Sequence, residues 1–260
     1  MIVAGIDVGS STSKAVILED QEIIAYSIVP TGAESAGSAQ KAMDETLQKT
    51  AHLSLADIQW TVATGYGRVI VDFANETVTE LSCHARGANW LLPSVRTVLD
   101  MGGQDCKAIR CDNKGKLLNF VMNDKCAAGT GRFLEVMARV MELPLEGIGE
   151  LSLQAKEEIR INSTCAVFGK SEVASLIRLG REKPDILSGL HTAISNRVFT
   201  LLRKVGVEPD FTITGGIAKN IGVVRRLEEK LGLKVILTEE PQIVGALGAA
   251  LFARDRVSNQ

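Results

Sequence analysis

The sequence predicts an α/β protein made of two related lobes. Apolar runs typical of buried strands alternate along the 260 residues with amphipathic segments typical of helices, which favours layers of sheet and helix. One short segment also recurs, because residues 6–14 (IDVGSSTSK) match residues 99–107 (LDMGGQDCK). In both copies an apolar strand leads to Asp, Gly follows two positions later and Lys follows seven positions later. The repeat indicates that each lobe contains a β-hairpin with a turn of small residues.

The remaining elements follow in chain order. After its hairpin, the first lobe (residues 1–95) is predicted to contain a helix near 35–53, a strand at 59–63, a Gly-rich loop at 64–68 and a helix near 78–91. The second lobe (residues 96–242) is predicted to contain helices at 131–143 and 170–180, a long helix at 186–205, a strand at 210–214, a helix at 218–231 and a strand at 234–237. A closing helix at 243–256 is assigned to the first lobe.

Charge and hydropathy exclude several classes of protein. The 29 basic and 31 acidic residues give a net charge of −2 without blocks of like charge, so we expect no nucleic-acid or lipid-surface partner. The N-terminus lacks the basic region of a signal peptide, and the longest apolar run, residues 243–253, is too short to span a membrane. Five cysteines indicate no disulfide framework. We therefore expect a cytoplasmic protein.

The first hairpin turn has the composition of a phosphate site. Glycine allows the backbone to approach an anion closely, successive N–H groups can surround it, and a lysine adds positive charge. The predicted anion-binding residues are Gly9, Ser10, Ser11, Thr12, Ser13 and Lys14. Asp7, at the end of the preceding strand, is placed to hold Mg²⁺ directly or through water.

Two further turns extend this site. Asp100 with Gly102 and Gly103 repeats the first arrangement, and Gly215-Gly216 follows a strand and opens a helix, which suits close approach of a nucleoside. The P-loop and the dinucleotide fingerprint are both absent from the sequence. The three turns together predict a nucleotide cleft between the lobes.

Two cysteines have matched surroundings. Cys126 (NDKCAAG) and Cys165 (NSTCAVFG) each follow residues typical of helix caps, and a thiol at a helix N-terminus is favoured as thiolate. Two thiolates are half of a four-cysteine metal or cluster site; a zinc ion bridging two chains and inert buried cysteines are the alternatives. The remaining three, Cys83, Cys106 and Cys111, are assigned to packing.

Gln104 indicates the kind of chemistry. A carboxamide cannot accept a proton as a general base and can only orient water, which favours slow hydrolysis over phosphate transfer, although Asp105 next to it is a candidate base. Asp124 and Thr130 are candidates for nucleotide contact and coupling, or for helix capping, and Gln242 is added to the nucleotide site. The histidines His52, His84 and His191 lack metal-ligand spacing and are assigned to packing.

The three glycine turns resemble the phosphate-1, phosphate-2 and adenosine motifs of the acetate and sugar kinase, heat-shock ATPase and actin superfamily. More narrowly, residues 100–105 (DMGGQD), 123–133 (NDKCAAGTGRF) and 245–250 (GALGAA) resemble the ATP-dependent activators of 2-hydroxyacyl-CoA dehydratases and benzoyl-CoA reductase (BadF/BadG/BcrA/BcrD-type ATPases), together with reductases of double-cubane cluster proteins. The resemblance spans essentially the whole chain.

This resemblance implies an actin-like (ribonuclease H-like) ATPase fold with ATP/ADP and Mg²⁺ held by Asp7 and Asp100. It also implies a homodimer sharing one [4Fe–4S] cluster, with Cys126 and Cys165 as the ligands from each chain. The expected partners are a ferredoxin or flavodoxin as electron donor and an iron–sulfur enzyme as acceptor. The expected function is ATP-driven transfer of low-potential electrons, with Gln104, Asp7 and Asp100 as catalytic residues. The alternatives are a small-molecule kinase with Asp105 as base and an actin-like scaffold.

Overall fold

The computed structural model describes residues 1–32, 35–50, 52–123, 129–162 and 166–259. The strands in this part of the chain are β1 (Ile2–Val8), β2 (Thr12–Glu19), β3 (Glu22–Pro30), β4 (Trp60–Thr64), β5 (Glu76–Thr77), β6 (Thr97–Met101), β7 (Cys106–Cys111), β8 (Leu117–Asn123) and β9 (Phe211–Thr214). The α-helices are α1 (Ser35–Gln48), α2 (Glu80–Leu91), α3 (Gly131–Val140), α4 (Ile148–Ser152), α5 (Ala166–Arg178), α6 (Lys183–Val205), α7 (Ile221–Leu231) and α8 (Val244–Ser258).

The two sheets share one topology. The first has the strand order β3-β2-β1-β4-β5 and the second the order β8-β7-β6-β9. In each, three antiparallel strands are followed by a parallel strand, since β1 pairs in parallel with β4 and β6 with β9. The duplication predicted from the sequence is therefore confirmed, and the two predicted hairpins are β1–β2 and β6–β7.

Helices cover both faces of the first sheet. Alternate residues of β1 point to opposite sides, so Val3 packs in a cluster with α8 whereas Ala4 and Ile6 pack in a cluster with α1. Helix α8 also contacts β2, β4 and α2. At Gly5 the backbones touch, because a Cβ there would lie 2.0 Å from the carbonyl oxygen of Ala246. The chain's last helix thus completes the layer over the sheet formed by its first strands.

The second sheet is covered by the long helix α6 on one face and by α2 on the other. Helix α6 contacts β7 and β8 on the sheet and α4 and α7 on its other side. The largest apolar cluster joins β6 and β9 to α3, α6 and α7, with Phe133, Met137, Leu190 and Phe211 at most 1% exposed. This packing holds the ends of β6 and β9 next to the start of α3.

Several predicted elements need correction. The strand expected at 234–237 is wrong: Val235 makes only an isolated bridge to Phe211, with the Ile236 N–H donating to the Phe211 carbonyl at 2.9 Å, and the Val235 N–H donates to the Glu228 carboxylate at 3.0 Å. The helix expected at 218–231 begins as a 3₁₀ turn (Gly216–Lys219), and α7 starts at Ile221 because the Asn220 side chain accepts from the Val223 N–H. Helices α1 and α3 end earlier than expected and α5 starts earlier. Strands β3, β5 and β8 and helix α4 were not predicted.

Candidate nucleotide-binding site

A cavity of about 600 Å³ is lined by residues from both sheets. The predicted residues that line it are Asp7, Gly9, Ser10, Ser11, Thr12 and Lys14 from the first sheet and its turn, and Asp100, Gly102, Gly103, Gln104, Gly215, Gly216 and Gln242 from the second half of the chain. The structure therefore brings most of the predicted site residues together around one cavity.

Three predicted residues are not placed there. Ser13 is buried away from the cavity, where its hydroxyl lies 2.7 Å from that of Ser38 and 3.0 Å from that of Thr31. Thr130 does not line the cavity; it occupies the N-cap position of α3, but its side chain makes no capping hydrogen bond to the described first turn of that helix. Asp124 lies outside the described residues.

The two phosphate-type turns have the same geometry. The Gly9 N–H donates to the Thr12 carbonyl at 3.1 Å, and the Gly102 N–H donates to the Asp105 carbonyl at the same distance. The turns abut, because a Cβ on Gly103 would lie 2.1 Å from Oγ of Ser11. A Cβ there would have to displace the Ser11 side chain, so glycine lets both turns reach the same part of the cavity.

Each turn is framed by a cross-strand Asp–Lys pair. Asp7 is opposite Lys14 in the β1–β2 ladder, and Asp100 is opposite Lys107 in the β6–β7 ladder. Nζ of Lys14 lies 3.1 Å from Oδ2 of Asp7, and Nζ of Lys107 lies 3.4 Å from Oδ2 of Asp100. The sequence repeat is thus also a repeat of charge pairs.

Lys107 contacts three carboxylates. Besides Asp100, its Nζ lies 2.7 Å from Oδ1 of Asp105 and 3.4 Å from Oε2 of Glu80. Burial alone would lower the pKa of Lys107, but these carboxylates outweigh burial and raise it, so the ammonium group stays charged. Burial raises the pKa of Glu80. Asp105 is therefore an ion-paired carboxylate, which argues against its service as the base of a kinase.

His84 also belongs to the site. The Thr214 hydroxyl donates to Oδ1 of Asp100 at 3.3 Å, so it accepts from Nδ1 of His84 at 2.9 Å. Nε2 of His84 lies 3.6 Å from Oδ2 of Asp100. Burial tends to raise the pKa of Asp100, but His84, Lys107 and Lys14 outweigh burial and lower it. The assignment of His84 to ordinary packing is wrong.

Glu80, His84 and Lys107 are site residues that the sequence interpretation missed. Glu80 and His84 are four positions apart on α2, so both point from one helix face into the cavity. Their i, i+4 spacing after the Gly-rich loop was the available signal. It was weak, because Thr214, the hydrogen-bond partner of His84, is 130 positions away.

The charge at the base of the cavity suits a divalent cation. Four carboxylates face two lysines there, which leaves two excess negative charges when all six groups are ionised. The carboxylates are Glu80, Asp7, Asp100 and Asp105, and the lysines are Lys14 and Lys107. No three His, Cys, Asp or Glu side chains in the described ranges form a metal cage. Mg²⁺ bound to a nucleotide usually keeps several waters and takes one or two carboxylates, so Asp7 and Asp100 fit that role.

The second turn is joined to α3 through the backbone. The Gly131 N–H donates to the Gly102 carbonyl and the Arg132 N–H donates to the Gly103 carbonyl, both at 2.9 Å. These two N–H groups belong to the first turn of α3, whose donors have no partner within the helix. The start of α3 is therefore fixed to the turn that carries Gln104.

Cys126 and Cys165 lie outside the described residues, whereas the residue directly after Cys165 is described. Helix α5 begins at Ala166, directly after Cys165, and Val167 and Phe168 in its first turn are 71% and 69% exposed. The other three thiols are buried as predicted, and burial raises the pKa of Cys83 to about 12 and that of Cys111 to about 11, and also raises that of Cys106. These three are poor thiolate ligands.

In the ranges that the structure covers, no helix has the length and apolarity needed to cross a bilayer.

Comparison with known proteins gives matches along almost the entire chain. Residues 4–253 match the model of the BadF/BadG/BcrA/BcrD ATPase family. The activator of lactoyl-CoA dehydratase from Anaerotignum propionicum is 49% identical over 97% of this chain and 97% of its own length. The predicted family resemblance is thereby confirmed.

Two solved structures have the same fold. The (R)-2-hydroxyglutaryl-CoA dehydratase component A of Acidaminococcus fermentans superposes with a TM-score of 0.94 at 44% identity, covering 99% of both chains. The activator of 2-hydroxyisocaproyl-CoA dehydratase from Clostridium difficile, solved with bound ADPNP, superposes with a TM-score of 0.95 at 42% identity, covering 100% of this chain and 96% of that one. The predicted two-lobed, actin-like α/β fold is confirmed.

Proposed function

The chain belongs to the BadF/BadG/BcrA/BcrD ATPase family, and we propose that it is an ATP-hydrolysing activator that passes low-potential electrons to a partner iron–sulfur enzyme. The observation that carries this proposal is the cavity with duplicated Asp–Lys turns in a chain that is 49% identical to a dehydratase activator. The acceptor is a 2-hydroxyacyl-CoA dehydratase, a benzoyl-CoA reductase-like enzyme or a double-cubane cluster protein. The electron donor is a ferredoxin or flavodoxin.

ATP binding follows from the two turns and the charges behind them. The backbone N–H groups of residues 10–12 and 103–104 surround the phosphates, and Lys14 contributes a positive charge. Asp7 and Asp100 hold Mg²⁺, directly or through water. Gly215 and Gly216 allow the nucleoside to approach the end of β9, where Gly215 has a φ of +83°.

Hydrolysis depends on Gln104. Its side chain is exposed in the cavity wall on the second turn, whereas Lys107 binds the neighbouring Asp105. A carboxamide can orient water but cannot remove its proton, so turnover is slow and ATP acts as a switch.

The electron-carrying site is formed by two copies of the chain. A [4Fe–4S] cluster takes four cysteine thiolates and supplies a one-electron carrier when bound. Cys126 and Cys165 would provide two ligands per chain, and the other three thiols are buried with raised pKa values. We therefore propose a homodimer in which both cysteines of each chain hold one shared cluster.

The two lobes comprise residues 1–95 with the closing helix 243–256, and residues 96–242. The contacts of α8 with β1, β2 and β4 support its assignment to the first lobe.

The test is anaerobic purification followed by iron and sulfide analysis and visible absorbance. We expect about four irons per dimer, lost in Cys126→Ser and Cys165→Ser and kept in Cys111→Ala, which alters a buried thiol. The wild-type dimer should also hydrolyse ATP and activate a dehydratase in the presence of reduced ferredoxin. A colourless, iron-free dimer after anaerobic reconstitution would refute the proposal.

A further inference from the structure

A buried histidine lies directly behind the wall of the nucleotide cavity. His191 on α6 is 0% exposed, and its Nε2 lies 3.2 Å from Nδ2 of Asn220. Asn220 lines the cavity next to Lys219 and Ile217, close to the glycine turn assigned to the nucleoside. His191 therefore contacts a cavity residue without lining the cavity itself.

The hydrogen bonds of Asn220 determine which atom faces the histidine. Its Oδ1 accepts from the Val223 N–H at 3.1 Å, so the other terminal atom is the amide nitrogen, which can only donate. Nε2 of His191 must then be the acceptor, and a neutral imidazole that accepts at Nε2 carries its proton on Nδ1. Burial and the nearby charge of Arg226 lower the pKa of His191 to about 3, which keeps the ring neutral.

This arrangement has a cost in the folded protein. Nδ1 of His191 has no hydrogen-bond partner among the described residues, although it is buried. A buried N–H without a partner is unfavourable, and such groups call for an explanation beyond packing. The Asn220 side chain is also closely confined, because a Cβ at Gly149 would lie 2.9 Å from its Oδ1.

We propose that His191 is a positioning residue for nucleotide binding: as a fixed hydrogen-bond acceptor it holds the Asn220 amide, whose second N–H then donates to the nucleoside in the cavity. The inference rests on the proposed ATP-binding function. It gives a role in binding to His191, which the sequence pattern alone assigns to packing.

The test compares two substitutions of His191 in the full-length protein. His191→Met removes the acceptor and fills the buried position with an apolar side chain. His191→Gln provides an acceptor oxygen in place of Nε2. We expect ADP to bind about five- to tenfold more weakly to the Met variant, the factor that follows from about one hydrogen bond, and within about twofold of wild type to the Gln variant. Ser195→Ala, one turn further along α6, is the matched control, since its buried hydroxyl lacks a partner in the described chain.

The tautomer gives a second, independent measurement on the unaltered protein. Nitrogen-15 NMR of labelled histidines, with His191 assigned by its absence in His191→Gln, should show a proton on Nδ1 and a bare Nε2 at neutral pH. A proton on Nε2, or a folded Met variant that binds ADP as tightly as wild type, would overturn the inference. Failure of the wild-type protein itself to bind ADP would instead refute the proposed function.

Discussion

At the scale of single residues, the cavity depends on a lysine that is almost completely enclosed. Lys107 is 1% exposed and is the shared partner of Glu80, Asp100 and Asp105. Removing one partner of a buried ion pair leaves charge without compensation, and this usually costs more than the pair itself contributes. Lys14 is the natural comparison, because it occupies the equivalent place in the first hairpin and pairs with Asp7.

We therefore expect Lys107→Met to lower the free energy of unfolding by about 3–5 kcal/mol, and Lys14→Met to lower it by less. The reason is the number of carboxylates that each lysine neutralises. Urea unfolding followed by circular dichroism at neutral pH measures both. Equal losses in the two variants would contradict this reason, because Lys107 contacts three carboxylates and Lys14 pairs with Asp7.

Gln104 allows a kinetic prediction at the same scale. Gln104→Ala should reduce kcat for ATP hydrolysis by about 10²-fold, in the range that positioned catalytic groups contribute, and should leave the affinity for ADP within about twofold. Steady-state turnover and calorimetric titration separate the two effects. Asp105→Asn is the companion variant, and if it abolished hydrolysis while Gln104→Ala did not, the roles assigned here would be reversed.

The sequence predicted those residues whose neighbours in the chain define them. Asp7, Lys14, Asp100 and Gln104 belong to two short hairpins, so the local pattern carried the information. His84 was missed because its role depends on Thr214, which only the packing of α2 against the second sheet brings within 2.9 Å. Ser13 was wrongly included because a strand residue next to a turn can point to the opposite face.

At the scale of elements, the contact between β1 and α8 leaves no room for a side chain. A Cβ on Gly5 would lie 2.0 Å from a carbonyl oxygen and 2.3 Å from an amide nitrogen of α8, and neither backbone atom can move aside as a flexible side chain could. Similar close approaches between α2 and α8 occur at Gly87 and Gly248. Small residues therefore let the closing helix lie against the first sheet and α2.

We expect Gly5→Ala to destabilise the protein by about 3 kcal/mol, at the upper end of typical over-packing costs. Gly37→Ala on α1 is the control, because a Cβ there meets nothing within 4 Å. Alanine at this helical position should stabilise by about 0.5–1 kcal/mol. Thermal unfolding of the two variants should move in opposite directions, and an unchanged Tm for Gly5→Ala would contradict the close packing described.

Elements with strong internal patterns were predicted well, and those defined by a partner were not. The repeat identified both hairpins because it includes the strands, the turns and the charge pairs. The expected strand at 234–237 is reduced to one bridge between Val235 and Phe211, and the outward N–H of Val235 is bound by the Glu228 carboxylate from α7. Strand β5 is only two residues long, too short for an alternating apolar pattern in the sequence. It is defined by its pairing with β4.

At the scale of the whole molecule, the nucleotide links the two halves of the chain. Its proposed site takes residues from both hairpins, so binding must stabilise the arrangement in which the turns abut. Mg²⁺ should strengthen this effect, because Asp7 and Asp100 come from different sheets. A ligand that binds only the folded form raises its stability by mass action.

ADP with Mg²⁺ at about 100 times its Kd should therefore increase the free energy of unfolding by about 2.7 kcal/mol and raise Tm by about 5–10 °C. Asp7→Asn should lose most of the part of this shift that depends on Mg²⁺. Asp44→Asn, an exposed position on α1, should keep it. Differential scanning fluorimetry with and without EDTA measures the difference, and an Mg²⁺-dependent shift that survives in Asp7→Asn would remove Asp7 from the metal site.

The hydrogen bonds between the second turn and α3 imply mechanical amplification. Gly102 and Gly103 hold the first turn of a ten-residue helix, which is about 15 Å long. A small tilt at the held end becomes a larger displacement at the far end, and α3 packs against α5, which begins one residue after Cys165. The same turn also fixes the point at which the chain enters α3, five residues after Cys126. A sub-ångström adjustment to the phosphates would thus reach the helix that follows Cys165 through a single rigid arm.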